Sequence, residues 1–156
     1  MTLNEEGYSI IANFEGLRLT PYLCSAGVPT IGYGSTFYPS GAKVTMRDKA
    51  ITKETALWML KQTANMFAKD VDKLVTSTVN QNQFNALTSF AFNLGSDIDA
   101  DSIPEGLGDS NLLKKVNANP NDPAITKEFM KWVNAGGRPN NGLMKRRAEE
   151  AKIYFK

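Results

Sequence analysis

The chain has 156 residues, 42% hydrophobic and 10% aromatic, which suits one globular domain with its own core and excludes disorder. Lys and Arg number 18 against 16 Asp and Glu, so a net charge of +2 gives no ground for a polyanionic partner. With no histidine and one cysteine, Cys24, the chain can build no Ser-His-Asp triad, no histidine-based zinc site and no internal disulfide.

The first element predicted is a short helix over 3–14, with Asn4 as N-cap, Glu5 and Glu6 in its first turn and Ile10, Ile11 and Phe14 on its apolar face. The apolar run from Tyr8 to Ala12 is too short for a signal h-region or a membrane span and lacks a basic flank, so the chain is expected to stay in the cytosol where it is made. Glu15-Gly16 closes the helix. From Leu17 to Val44, Gly, Pro, Ser and Thr alternate with Tyr, Val, Ile and Phe, the pattern of short strands and tight turns.

Thr52 is placed to cap a long helix whose apolar positions Leu57, Leu60, Ala64, Phe67, Val71 and Leu74 step by three and four. Asn80-Gln81-Asn82-Gln83 has the form of a capping box, and Phe84, Leu87, Ala91 and Leu94 form the apolar face of a second core helix ending at Gly95. A short helix is predicted from Ser110 to Asn117. Another opens at Asp122-Pro123 and runs through Phe129, Trp132 and Val133, and a last one follows Asn141 as cap, from Gly142 to Phe155. From Arg138 to Lys156 six basic residues face Glu149 and Glu150, read as a solvated helix face, with steering toward an acidic polymer as the alternative.

These elements predict an α+β chain: a single domain over 1–156 with a small N-terminal lobe carrying a β-hairpin, about residues 1–52. A long helix joins it to a mainly helical C-terminal lobe over 53–156. A cleft between the lobes is the default binding site.

Glu15 lies where the first helix meets the hairpin, flanked by Phe14, Gly16 and Leu17. A carboxylic acid in neutral water has lost its proton, and apolar neighbours favour keeping it, which is what a proton donor needs. Taken alone, such a residue is also readable as a helix-terminal Glu paired with an Arg. Its spacing changes the reading. Eight residues separate Glu15 from Cys24, and five more separate Cys24 from Thr30. With Phe14-Glu15-Gly16-Leu17-Arg18-Leu19, Pro21-Tyr22, Thr30-Ile31-Gly32-Tyr33-Gly34, Asn82 to Leu87, Ser89 to Gly95, Ser110 to Leu113, Trp132, Gly136-Gly137 and Gly142-Leu143 before Arg146-Arg147, the sequence resembles the phage-type lysozymes related to bacteriophage T4 lysozyme and the lambdoid-phage endolysins. Their hallmark is a Glu, eight residues, an Asp or Cys, five residues and a Thr.

The resemblance implies a lysozyme-like fold and hydrolysis of the β-1,4 bond between N-acetylmuramic acid and N-acetylglucosamine, leading to host cell lysis, with no metal or organic cofactor. It implies Glu15 as general acid, Cys24 as the second catalytic position and Thr30 as a residue placing the attacking water. Cys24 stands where the family's first members have a carboxylate, and an ordinary thiol is mostly neutral at pH 7. Three readings of Cys24 stay open: a water holder in a direct, inverting displacement, a covalent nucleophile, or a small buried hydrophobe. By the same resemblance Phe92 and Asn93 belong to the sugar-binding floor, Tyr22, Gly34 and Asn111 are further substrate contacts, and Arg146 approaches the catalytic Glu. Phe92 as core and Arg146 as solvated charge are the plain alternatives.

Asp97, Asp99 and Asp101 alternate like the start of a calcium loop, but Ser102 and Gly108 stand where that loop needs Gly and Glu. The implied partner is bacterial peptidoglycan, met by a monomer that a holin releases from the host cytoplasm; neither nucleic acid nor stable membrane insertion is expected. The competing functions are a lytic transglycosylase, which yields a 1,6-anhydro product lighter by one water, and a non-catalytic peptidoglycan-binding module.

Overall fold

Asn4 opens the chain's first helix: its Oδ1 accepts from the Gly7 N–H at 3.0 Å, satisfying a donor that a helix start leaves without a partner. In the computed structural model, which describes residues 1–99 and 101–156, this helix, α1, is Glu5–Glu15. Strands β1 (Arg18–Leu23) and β2 (Pro29–Gly32) follow, antiparallel, with Tyr22 opposite Thr30 and a register irregularity between Arg18 and Tyr22. Then come α2 (Lys53–Leu74), started by Thr52 Oγ1 accepting from the Thr55 N–H at 3.1 Å, and α3 (Gln81–Leu94). The chain continues as α4 (Asn111–Ala118), α5 (Ile125–Phe129), the strand pair β3 (Asn134–Ala135) and β4 (Arg138–Pro139), and α6 (Asn141–Tyr154).

The chain divides into two compact units, one of residues 8–66 and one of residues 1–7 with 67–156. The expected lobe boundary at 52 falls at the start of α2, whereas the units part within that helix. In the 8–66 unit Ile31, Val44 and Met59 are buried, with Tyr38 and Ile51 packed against them. The loop beyond β2 is pinned by Asp48, whose carboxylate accepts from Thr45 Oγ1 at 2.6 Å, the Thr45 N–H at 2.9 Å and the Tyr38 hydroxyl at 2.7 Å. These bonds, Thr45's first, hold the Asp48 carboxyl below its ordinary range; burial and then the bond to Asp48 push the Tyr38 hydroxyl up to about 12.

The second unit is built on α3, in which every residue from Gln83 to Ala91 is buried. A helix enclosed this way must find partners for its polar side chains. Asn85 Nδ2 donates to Asn4 Oδ1, Thr88 Oγ1 to the Phe84 carbonyl, and Gln83 Nε2 to the Pro120 carbonyl. The predicted capping box is present: the Asn80 side chain accepts from the Gln83 N–H while the Gln83 side chain accepts from the Asn80 N–H. Phe90 packs edge to face on Phe129 and Trp132, at ring distances of 5.8 and 5.5 Å.

Three sequence expectations are corrected. The helix predicted from Asp122-Pro123 through Val133 covers only Ile125–Phe129; Phe129, Trp132 and Val133 have helical spacing, but the chain turns away after Met130 to pack the Trp132 ring on Phe90. An unforeseen hairpin follows, β3 to β4, closed by Gly136 and Gly137 at φ +58° and +76°, the paired left-handed geometry that two-residue hairpin turns require. The cap of α6 is Asn140, one residue earlier than expected, its side chain accepting from the Leu143 N–H at 2.9 Å.

Candidate active site

Glu15 is the last residue of α1 and is half-buried. Gly34, two residues beyond β2, sits against it: a Cβ there would lie 3.4 Å from Glu15 Oε2, and φ is +85°. The left-handed backbone is what favours glycine here; a Cβ would stand in ordinary contact with the carboxylate. The 8–66 unit therefore fixes how the loop after β2 meets the carboxyl.

Cys24 follows the last residue of β1, where the strands turn. Its N–H donates to the Val28 carbonyl at 3.0 Å, and its carbonyl accepts from the Gly27 N–H at 2.8 Å, so the turn folds its own amides around the sulfur. Hydrogen bonds from the Val28 and then the Ala26 backbone outweigh the opposing effect of burial and, with a lesser one from the Thr30 hydroxyl, hold the half-buried Cys24 thiol below its ordinary pKa. The cause is local: amide dipoles aimed at sulfur favour the thiolate without a charged partner.

Thr30 is 2% exposed and its hydroxyl donates to the Val28 carbonyl at 2.8 Å. A hydroxyl carries one hydrogen, so the Val28 carbonyl and the Cys24 sulfur compete for it. Tyr22, opposite Thr30 across the sheet, is half-buried with the Arg18 guanidinium 4.6 Å over its ring. Glu15 with Gly34, and Cys24 with Thr30, are thus brought together as two contacts inside one compact unit.

The remaining predicted residues lie in the other unit. Phe92 is half-buried and packs edge-on to Phe67 at 5.5 Å, so part of it is core. Asn93 is half-buried, its Oδ1 accepting from Arg147 Nη2 at 2.6 Å. Asn111, the exposed first residue of α4, lines a recess of ≈ 300 Å³ with Asp109, Lys114, Lys131 and Trp132. Arg146 is 6% exposed; its Nε lies 3.1 Å from Glu150 Oε1 and its Nη2 donates to the Ser89 carbonyl at 3.3 Å. The solvated-face reading of the C-terminal charges fails for Arg146, Arg147 and Glu150, all buried, and holds for Arg138, Lys145, Glu149, Lys152 and Lys156.

Sequence reasoning passed over Arg147, Glu150 and Ser89, although the i,i+3 and i,i+4 spacing of Glu150 from the two arginines was a signal. Burial pushes the Glu150 carboxyl up, with Arg147, Ser89 and Arg146 pulling against it. For a cation, the described residues offer Asp97, Asp99 and Asp109, with one carboxylate oxygen of each within 4.8 Å of the others; Asp101, third in the sequence alternation, is outside that group. Asp97 Oδ2 is occupied by the N–H groups of Glu105, Gly106 and Asp109. Burial and then the neighbouring Asp97 push the Asp109 carboxyl up.

The family model described as phage lysozyme matches residues 12–150. The endolysin of Bacillus phage B103 is 35% identical over 99% of this chain, and the chain spans about half that relative's length, 54%. A solved endolysin from Escherichia coli O157:H7 phage FAHEc1 superposes with a TM-score of 0.87 at 35% identity, covering 99% of this chain and 93% of that one. The muramidase domain of SpmX from Asticaccaulis excentricus superposes with a TM-score of 0.77 at 29% identity, covering 99% and 97%. Matched along nearly its whole length by model, sequence and α+β fold alike, the chain belongs to the phage lysozyme family.

Proposed function

We propose that the chain is an endolysin, a muramidase that hydrolyses the β-1,4 bond between N-acetylmuramic acid and N-acetylglucosamine in bacterial peptidoglycan. The observation that carries this reading is the Cys24–Thr30 contact, in the same compact unit as Glu15 and at the family's spacing. Glu15 gives its proton to the glycosidic oxygen as the bond to the anomeric carbon breaks. A water held by Cys24 and Thr30 attacks that carbon from the opposite face, forming the new C–O bond and passing its surplus proton to sulfur and on to solvent.

The lowered thiol pKa supports this role. Hydrogen bonds that favour the thiolate bring Cys24 nearer to the negative charge that a carboxylate gives at this position elsewhere in the family, which supports the water-holding scheme. Tyr22, Gly34, Phe92, Asn93 and Asn111 are assigned to glycan contact, and Arg146 to orienting the site's carboxyl. No helix among the described residues is long and apolar enough to cross a membrane. The reading includes a monomer held in the host cytoplasm until a holin opens the way to the wall.

Glu15→Gln tests it, since the exchange keeps shape and removes the transferable proton. Release of reducing ends from purified peptidoglycan should fall about 10²- to 10⁴-fold with folding unchanged by circular dichroism. Activity within a few-fold of wild type removes Glu15 from the mechanism, and a 1,6-anhydro product by mass spectrometry replaces hydrolysis with transglycosylation.

A further inference from the structure

Asn93 lies in the last turn of α3, and its side chain has one partner among the described residues, Arg147 Nη2, 2.6 Å from Oδ1. A guanidinium only donates. The bond therefore leaves the amide one orientation, oxygen toward Arg147 and the two Nδ2 hydrogens turned away from it. Without such a clamp an amide can flip by half a turn and offer its oxygen instead.

Arg147 is itself held. Its Nε lies 2.8 Å from Glu150 Oε2, its Nη2 3.3 Å from Oε1, and its guanidinium carbon 5.0 Å above the Phe90 ring. Glu150 also accepts from Ser89 Oγ at 2.7 Å. Arg147 and Glu150 are both 0% exposed, so neither can touch a ligand. Whatever Arg147 adds to binding must pass through a residue that reaches solvent, and half-buried Asn93 is the one its Nη2 holds; Glu150 pairs with Arg146 as well.

We propose that Arg147, braced by Glu150, is a positioning residue that sets the Asn93 amide so that its donors meet an acetamido carbonyl of the glycan. This rests on the muramidase reading and deepens it. One nitrogen, Nη2, spans both partners, with one hydrogen to Asn93 Oδ1 and one to Glu150 Oε1, a planar arrangement that a lysine's freely rotating ammonium does not reproduce.

The test is steady-state kinetics on solubilised, uncrosslinked peptidoglycan strands. Asn93→Asp keeps the acceptor for Arg147 and discards only the donors; Asn93→Ala discards both. Each, and Arg147→Lys, should raise KM roughly tenfold, the worth of one well-placed hydrogen bond, with kcat within about twofold. Adding Arg147→Lys to Asn93→Ala should change KM by less than about twofold, because the route through Asn93 is already gone. An equal rise in both backgrounds overturns the proposal, since a merely structural Arg147 acts whether or not Asn93 is present. If Arg147→Lys does not fold, Asn93→Asp decides: unchanged KM overturns the proposal, a tenfold rise supports it. Wild type that releases no reducing ends defeats the muramidase reading and this one together, whereas active wild type with KM unmoved by Asn93→Asp defeats this one alone.

Discussion

In the hairpin turn, a half-buried thiol is drawn toward its anion by neutral groups, the amides of Val28 and Ala26 and the hydroxyl of Thr30. Where α3 meets α6, a carboxylate with no exposure at all depends on two guanidiniums, and burial pushes its pKa the other way. The contrast separates two uses of polar groups. Amide dipoles stabilise charge while leaving a group open to water and proton exchange, as chemistry needs. Charges removed from water and locked together exchange nothing, but they hold geometry, at a desolvation cost that the pairing must offset.

The largest effect should come from breaking the locked cluster. Glu150→Ala leaves Arg147 buried without its counter-charge, and loss of one partner from a buried pair costs about 3–5 kcal/mol; urea unfolding should show it, and a loss below about 1 kcal/mol would mean that water reaches Arg147. Gly34→Ala comes next. A Cβ at φ +85° and 3.4 Å from Glu15 Oε2 should cost roughly 1–2 kcal/mol in backbone strain. It should also depress lysis of purified walls more than stability alone explains, whereas unimpaired lysis would separate this loop from the carboxyl. The smallest effect sharpens the thiol half of the comparison. Thr30→Val removes one of the donors that lower the Cys24 pKa, so the midpoint of iodoacetamide labelling against pH should move upward while remaining below that of a free cysteine, because the backbone amides of Val28 and Ala26 persist. A midpoint that does not move would take Thr30 out of the sulfur's surroundings.

What could be read in advance follows the range of the forces involved. The Asn80–Gln83 capping box and the existence of α2 are local, set by residues three and four apart, and appear as expected; of the predicted α2 stripe Leu60, Ala64 and Val71 are buried, while Leu57, Phe67 and Leu74 are half-buried and Ala56, Met59 and Ala68 complete the face. The spacing of Glu15, Cys24 and Thr30 was legible as a family pattern, but the amides gathered on the sulfur were not, because they depend on how the 24–28 turn closes. Phe129, Trp132 and Val133 misled because their spacing suits a helix, while the contact that decides their shape is Trp132 with Phe90, far away in the chain. Arg146, Arg147 and Glu150 looked solvated for the same reason. Their burial is settled by Ser89 and Asn93, more than fifty residues earlier.

The central claim, that Glu15 protonates the leaving sugar while a water held at Cys24 and Thr30 attacks directly, is tested most directly by the anomer first released. Cleavage of β-1,4-linked glycan strands, followed by proton NMR before mutarotation sets in, should show the α-anomer at the new reducing end, because one displacement inverts the carbon. First release of the β-anomer requires two displacements. That result would contradict the account and make the Cys24 sulfur a covalent nucleophile.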